Sequence, residues 1–134
     1  MSLDLISLMR LTGGNPASLL PHIKRTNKLW GYELLLIDEP EYCLKVLYLE
    51  KGAYSSLHYH RFKKETLFSM TGKILLEVEG KQFQLGDISK SVTILPNQKH
   101  KFTGLQDSLI VEMSTQRDDT DTKRTTLSGK NLKT

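Results

Sequence analysis

Short apolar stretches alternate with turn residues from Trp30 to Thr115, and this pattern limits what the chain can fold into. The stretches recur at intervals of about eight to twelve residues with no helical period between them. Strands are predicted over 30–37, 42–49, 54–60, 65–70, 73–79, 81–85, 92–95, 100–103 and 108–115. Gly80 would supply the positive φ of a tight hairpin turn. So many short strands without helices predict an all-β protein, closed as a barrel or packed as a sandwich.

The two ends of the chain differ from this middle part. Asn15, in a Gly-Gly-Asn-Pro turn cluster, could cap a short helix from Pro16 to about Lys24. Residues 116–134 are rich in Asp, Thr and Lys and could not bury enough apolar surface on their own. They are either a disordered tail or an arm laid over the barrel or a neighbouring subunit. The predicted organisation is an N-terminal extension (1–27), a β domain (28–115) and a polar tail or arm (116–134).

Composition describes one soluble domain. The chain has 134 residues, of which 38% are hydrophobic and 25% charged. No apolar run approaches the ~20 residues that span a bilayer, and the N-terminus lacks the pattern of a secretory signal. A single cysteine, Cys43, forms no internal disulfide, which fits a reducing compartment. The net charge is +4, but basic and acidic residues are mixed along the chain and form no basic stripe. We therefore expect a cytoplasmic protein that binds neither membrane nor nucleic acid.

Three of the four histidines are spaced so that they could hold one metal ion. His58 and His60, at positions i and i+2 of a predicted strand, point to the same face. Glu65 follows past a turn and can return to that face from the neighbouring strand. His100 lies at the start of a later strand. Three imidazoles and one carboxylate suit a divalent first-row transition metal, with positions left for water or substrate. The residues do not distinguish Zn, Ni, Mn and Fe.

The spacing of these residues resembles the first motif of the cupin superfamily, G-x5-H-x-H-x4-E-x6-G. The chain matches all five fixed positions, which are Gly52, His58, His60, Glu65 and Gly72. The second cupin motif is matched more loosely, by Gly86, Asp87, Pro96 and His100, with one residue fewer between proline and histidine. The resemblance implies a cupin jelly roll, also called a double-stranded β-helix barrel, behind a short N-terminal helical segment. It also implies a metal held by His58, His60, Glu65 and His100.

Basic and acidic residues near the predicted ligands are candidates for substrate contact. Arg61, Lys63 and Lys64 lie between the predicted ligands His60 and Glu65, and Lys99 and Lys101 flank His100. They are either ordinary solvated turn residues or groups that converge to hold a phosphate or carboxylate. A strand carboxylate that faced the cavity would be a candidate general base. The strand parity of the candidates, Glu77, Glu79 and Glu112, cannot be assigned from sequence.

Beyond the bare motif, residues 28–115 resemble the cupin domain of type II phosphomannose isomerases and their small stand-alone relatives. The resemblance is carried by 29–33, Lys45, 55–58, 99–101 and 110–114, and by the acidic-then-arginine segment 118–124. It implies a metal-dependent aldose–ketose isomerase of the mannose-6-phosphate isomerase kind, acting on a sugar or sugar phosphate. The metal would stabilise the enediolate, and Glu112 or Lys64 would move the proton between C2 and C1.

Two other functions stay open, because cupins support many chemistries. One is a non-catalytic module that binds a metal or a sugar, and the other is an Fe(II)-dependent oxygenase. Small β sandwiches leave strand edges that need cover, and an isologous dimer is a common solution. We therefore expect a homodimer that binds a small molecule.

Overall fold

A computed structural model describes residues 23–88, 90–115 and 119–130. These ranges form eleven strands and a single 3-10 turn at Asp119–Asp121. The strands are β1 (Lys24–Lys28), β2 (Gly31–Asp38), β3 (Cys43–Leu49), β4 (His58–His60), β5 (Glu65–Thr71), β6 (Lys73–Val78), β7 (Lys81–Gly86), β8 (Ser91–Ile94), β9 (His100–Gly104), β10 (Ser108–Ser114) and β11 (Thr122–Arg124). No helix in the described part of the chain is long and apolar enough to cross a membrane.

The strands form two antiparallel sheets. One has six strands in the order β1-β2-β3-β10-β5-β8, and the other has five in the order β11-β4-β9-β6-β7. Strands that are far apart in sequence are therefore neighbours, as when β10 pairs with both β3 and β5. This is the arrangement of a jelly-roll barrel, so the predicted all-β fold class is confirmed. The predicted helix lies outside the described residues, except for Ile23 and Lys24, and Lys24 begins β1.

An apolar core fills the space between the sheets. Its members include Leu49, Leu67, Ile74, Leu76 and Ile110, each less than 2% exposed. The rings of Trp30 and Phe102 pack edge to face, with centroids 5.2 Å apart, and also border the largely polar site described below. The core therefore occupies part of the interior, and ionisable groups occupy the rest.

Glycine is required at two turns. Glu79 and Gly80 have φ of 48° and 77° and join β6 to β7, so the predicted hairpin turn lies one residue earlier than expected. Gly72 has φ of 79°, and a Cβ there would stand 2.2 Å from the carbonyl oxygen of Asp107. This second glycine lets the chain pass from β5 in one sheet to β6 in the other.

Residues 119–130 lie along the barrel. Strand β11 pairs with β4, and Gly129 forms an isolated bridge with Tyr54. The side chains of Thr125 and Thr126 bond to the backbone of Leu57. We call residues 119–130 the C-terminal arm. It covers β4, the strand that carries two of the candidate metal ligands.

Candidate metal centre

The three histidines predicted as ligands lie together. His58 and His60 stand on β4, and His100 is the residue opposite His58 on β9. The His58 and His100 ring centroids are 4.2 Å apart, and each is 5.2 Å from that of His60. One ring nitrogen from each residue falls in a set whose members are all within 4.8 Å of one another. These three imidazoles could therefore contact a single metal ion.

Hydrogen bonds at the other ring nitrogen orient each imidazole. His58 Nδ1 lies 2.8 Å from the carbonyl oxygen of Ser56, and His100 Nδ1 lies 2.9 Å from that of Gln98. A carbonyl oxygen can only accept, so in both residues we assign the proton to Nδ1 and the lone pair to Nε2. His60 Nδ1 lies 3.2 Å from the Thr122 hydroxyl of the C-terminal arm. Such partners fix ring orientation and tautomer in histidine metal sites.

The surroundings keep two of these imidazoles neutral. Burial, together with the neighbouring His100, lowers the pKa of His58 to about 4. Burial, together with the Lys63 ammonium, lowers the pKa of His60 to about 3. Neutral imidazole is the form that binds a metal, so both rings are in that form at neutral pH.

Glu65 reaches the histidines from the opposite sheet. It begins β5 and is 2% exposed, with Oε1 2.8 Å from His100 Nε2 and Oε2 3.0 Å from Lys63 Nζ. Burial would raise the pKa of Glu65, but the contact with His100 and the charge of Lys63 hold it well below its usual value. The carboxylate is outside the set of mutually close histidine atoms, and contacts that set through His100.

A metal ion fits these residues because it resolves the contact between Glu65 and His100. The His100 Nε2 atom is buried and has no hydrogen-bond partner among the described residues, despite its distance of 2.8 Å from Glu65 Oε1. Both atoms carry a lone pair, so a contact as short as this one needs a proton or a cation between them. Two atoms that bind one ion at about 2.1 Å stand roughly 3 Å apart, so a shared divalent cation would satisfy both.

Lys63 and Glu112 form an ion pair beside Glu65. The Lys63 ammonium lies 3.7 Å from Glu112 Oε2, and both residues are less than 9% exposed. Burial would lower the pKa of Lys63, but the carboxylates of Glu112 and Glu65 raise it instead. Burial and the charge of Glu65 raise the pKa of Glu112 to about 7, against the opposing effect of Lys63.

These groups border a cavity of about 130 Å³ that is largely polar. His58, His60, Lys63 and Glu112 are on its wall. The remaining lining residues are Lys28, Trp30, Glu33, Lys45, Leu47, Ser55, Ser56, Phe102, Thr122, Arg124 and Ser128. The cavity offers room for a small ligand next to the histidines and the Lys63–Glu112 pair.

Asp121 of the C-terminal arm holds the loop that carries Lys63. Its carboxylate accepts hydrogen bonds from the backbone N–H groups of Arg61, Phe62 and Lys63, at 2.8 to 3.2 Å. This loop joins His60 to Glu65, so the arm sets the path of the chain between two candidate ligands.

The structure does not bring the other predicted substrate contacts to the cavity. The Arg61 guanidinium lies 5.5 Å from the Phe62 ring centroid, and the Lys101 ammonium lies 4.6 Å from that of Tyr54. Lys99 is exposed, and so is Lys64, the lysine predicted for proton transfer. None of the four is among the lining residues. Of the predicted basic and acidic residues, Lys63 and Glu112 reach the cavity.

Sequence reasoning did not assign a role to several basic residues that the cavity contains. Lys45 faces the cavity on β3 and lies 3.5 Å from Glu33, while Lys28 and Arg124 come from β1 and β11. Lys45, Glu33 and Arg124 stand in the segments that carry the resemblance to phosphomannose isomerases. That resemblance could have identified these three, whereas Lys28, at the first position of the resembling region, is outside the segments that carry the likeness.

Comparison with known proteins identifies the fold. No family model and no curated protein matches the chain. Among solved structures, KdgF from a Halomonas species matches with a TM-score of 0.67 and 17% identity, over 72% of this chain and 91% of KdgF. Pac13 from Streptomyces, a nucleoside dehydratase, matches with a TM-score of 0.68 and 11% identity, over 80% of this chain and 88% of Pac13.

The capsular polysaccharide assembling protein CapF of Staphylococcus aureus matches with a TM-score of 0.68 and 17% identity. The match covers 78% of this chain but only 32% of CapF, so the chain spans about a third of that protein. At such identities the likeness shows the fold alone. The neighbours are cupin-fold proteins, and this chain has the same fold.

Proposed function

We propose that the protein is a divalent-metal-dependent aldose–ketose isomerase that acts on a sugar or sugar phosphate. The observation that carries the proposal is one juxtaposition on the cavity wall. Two of the three histidines that could hold a metal, His58 and His60, stand there beside the buried Lys63–Glu112 pair, and the third lies against them. A Lewis acid and a group that moves a proton between adjacent carbons can together isomerise a hydroxy-aldehyde to a hydroxy-ketone.

The residues that would hold the metal are His58, His60, His100 and Glu65. When bound, a divalent ion supplies Lewis-acid stabilisation of negative charge on substrate oxygen atoms. The chain's own contribution is to present three oriented imidazoles and one carboxylate from two sheets.

Glu112 is the candidate proton-transfer residue. Its carboxylate would take the proton from C2 of the open-chain sugar and return it to C1, while the hydroxyl proton passes from O2 to O1. Atoms and electrons balance without an oxidant or reductant. Lys63, 3.7 Å away, would keep the carboxylate in place and offset its charge. In this proposal Lys63, and not the sequence-based candidate Lys64, is the lysine next to the proton-transfer residue.

The names of two structural neighbours support a ligand that contains a sugar. CapF is described as a capsular polysaccharide assembling protein, and Pac13 is a nucleoside dehydratase whose structures include uridine, which carries a ribose. A barrel of this fold therefore accommodates sugar rings in at least one neighbour.

The test is a screen for proton exchange at C2. The full-length protein, loaded in turn with Zn, Ni, Mn and Fe(II), would be incubated in D₂O with aldoses, ketoses and their phosphates. We expect loss of the C2 proton signal and formation of the isomeric sugar with at least one metal and one substrate. The Glu112→Gln variant should keep its metal and lose about 100-fold or more in kcat.

A matched control is Glu77→Gln, because Glu77 lies on β6 outside the cavity. It should leave the rate unchanged. If the protein binds sugars but none of the metals supports proton exchange at C2, the protein is a non-catalytic binding module and not an isomerase. If the protein consumes oxygen and does so only with Fe(II), it is an oxygenase and not an isomerase.

A further inference from the structure

A second cavity, of about 270 Å³, adjoins the first, and most of its charged lining residues are basic. Its lining includes Lys24, Lys28, Lys45 and Arg124, with Glu33 as its only carboxylate among the described residues. Five of its lining residues, including Lys28 and Arg124, also line the cavity beside the histidines. We refer to these two adjoining cavities together as the cleft, which extends from the candidate metal centre to β1.

Strand alternation explains why the basic groups converge. On β1, Lys24, Thr26 and Lys28 share the face that lines the cleft, as residues at i, i+2 and i+4 do. Arg25 is on the other face, where its Nε donates to Asn27 Oδ1 at 3.0 Å and its guanidinium lies 4.0 Å from the Tyr32 ring centroid. The basic side chains of β1 are thus divided between two surfaces.

The C-terminal arm repeats this division next to the histidines. Arg124 lies opposite His58 and Thr122 opposite His60 in the pairing of β11 with β4, and both line the cleft. Lys123, between them, is exposed and is not a lining residue. Opposite residues of paired strands have Cβ atoms roughly 5 Å apart, so Arg124 is a near neighbour of the metal centre.

The shared part of the cleft carries an excess of two positive charges. Lys28, Lys45 and Arg124 contribute three, and Glu33, which is 3.5 Å from Lys45, offsets one. No ion pair involves Lys28 or Arg124 among the residues that the structure describes. Concave surfaces of one sign concentrate the electric field and attract counter-ions. A phosphate monoester carries about −1.5 to −2 at neutral pH, which matches this excess, whereas a carboxylate carries only −1.

We propose that this cleft binds a phosphoryl group through Arg124, Lys28 and Lys45, and that the substrate is a sugar phosphate whose reacting end lies at the histidines. The assignment to a substrate rests on the proposed function, whereas the phosphate site rests on the charges and the strand faces described here. It replaces the predicted contacts Arg61, Lys99 and Lys101 with residues that line the cleft.

The first experiment is a calorimetric titration of the full-length, metal-loaded protein with inorganic phosphate. We expect saturable binding that Arg124→Gln weakens at least about tenfold, because a charge-assisted hydrogen bond is lost. Lys28→Gln should weaken binding in the same direction. Lys123→Gln removes the same charge from the neighbouring position of β11 and should change the affinity less than about twofold.

Equal losses in Arg124→Gln and Lys123→Gln would overturn the proposal, because net charge alone would then explain binding. Unchanged affinity in Arg124→Gln would also overturn it, since phosphate would then bind elsewhere, for instance at the metal. Arg124 is exposed, so its replacement should leave the thermal midpoint unaltered. Lys28→Gln provides a second test if Arg124→Gln fails to fold.

The second experiment separates phosphate from carboxylate and the site from the reaction. A hexose phosphate should bind more tightly than the corresponding hexuronate and the unmodified hexose, and Arg124→Gln should remove that preference. Tighter binding of the hexuronate would contradict the phosphoryl assignment. Phosphate binding without C2 exchange would refute the isomerase and leave the anion site standing. C2 exchange that occurs only with unphosphorylated sugars would support the isomerase and refute the assignment of a sugar phosphate as substrate.

Discussion

At the scale of single residues, each candidate ligand histidine has a partner that sets its ring. Two of these partners are backbone carbonyls on the same strand or its approach, at Ser56 and Gln98. The third, for His60, is the Thr122 hydroxyl, which is 62 residues away in sequence. His60 is therefore the ring whose orientation depends on a single replaceable side chain.

Replacement of Thr122 by valine should weaken metal binding. Valine has nearly the same shape as threonine but lacks the hydroxyl group. We expect a rise of about tenfold in the Kd for Zn, measured by competition with a chromophoric chelator, since loss of a partner to a ligand histidine typically costs 10- to 100-fold. Thr122→Ser restores the hydroxyl and should restore the affinity. Equal affinity in the valine and serine variants would show that the hydroxyl does not position His60.

At the scale of elements, the C-terminal arm belongs to the site as much as the central strands do. Asp121 accepts hydrogen bonds from three successive backbone N–H groups of the 61–63 loop, and β11 pairs with β4. Burial would raise the pKa of Asp121, but these N–H groups and the nearby His60 lower it. The charged carboxylate thus stabilises the folded loop.

Asp121→Ala should reduce the free energy of unfolding by about 2 to 3 kcal/mol, because three backbone N–H groups lose a charged acceptor. The difference from wild type should be full above the ordinary aspartate pKa of 3.8 and should shrink as pH falls below it. Urea unfolding at pH 7 and pH 3 would measure both values. Asp87→Asn removes an exposed turn carboxylate and should change neither. A pH-independent difference would contradict the role of the charge.

Sequence patterns predicted the long inner strands but not the two short polar ones. Strands such as β3 and β10 have apolar alternation that appears in the sequence itself. The segments Lys24–Lys28 and Thr122–Arg124 are polar, and they are strands because β2 and β4 offer partners. Because strand register cannot be deduced from the sequence, the position of Arg124 beside the histidines and the face of the sheet to which Glu112 belongs could not be predicted. The shared face of His58 and His60 could be predicted, because it follows from the two-residue period of a strand alone.

At the scale of the whole molecule, the candidate ligands come from both sheets. His58, His60 and His100 belong to the five-stranded sheet and Glu65 to the six-stranded one. An ion held by all four would connect the two sheets at the end of the interior that lacks apolar packing. Binding should therefore stabilise the entire barrel.

Addition of Zn or Ni to chelator-treated protein should raise the thermal midpoint. At a free metal concentration 100-fold above Kd, the stabilisation is about 2.7 kcal/mol, which corresponds to several degrees for a domain of this size. Differential scanning calorimetry measures the shift. His60→Ala should fold and show no shift, because an essential ligand is missing. An equal shift in that variant would mean that the metal binds elsewhere.

The homodimer stays a prediction at this scale. The sheets end in the edge strands β1, β8, β7 and β11, and exposed apolar side chains include Phe62, Leu127 and Ile88. We expect light scattering after gel filtration to give twice the chain mass of 15.3 kDa. A single species at 15.3 kDa across the micromolar range would refute the dimer.

The contact between Glu65 and His100 has a consequence for the lifetime of the protein. If a cation joins the sheets there, copies that lack it would open more often and expose their backbone to proteases. The rate at which the protein is degraded would then rise when the metal is scarce. The amount of the protein would then depend on the supply of any ion that the site binds.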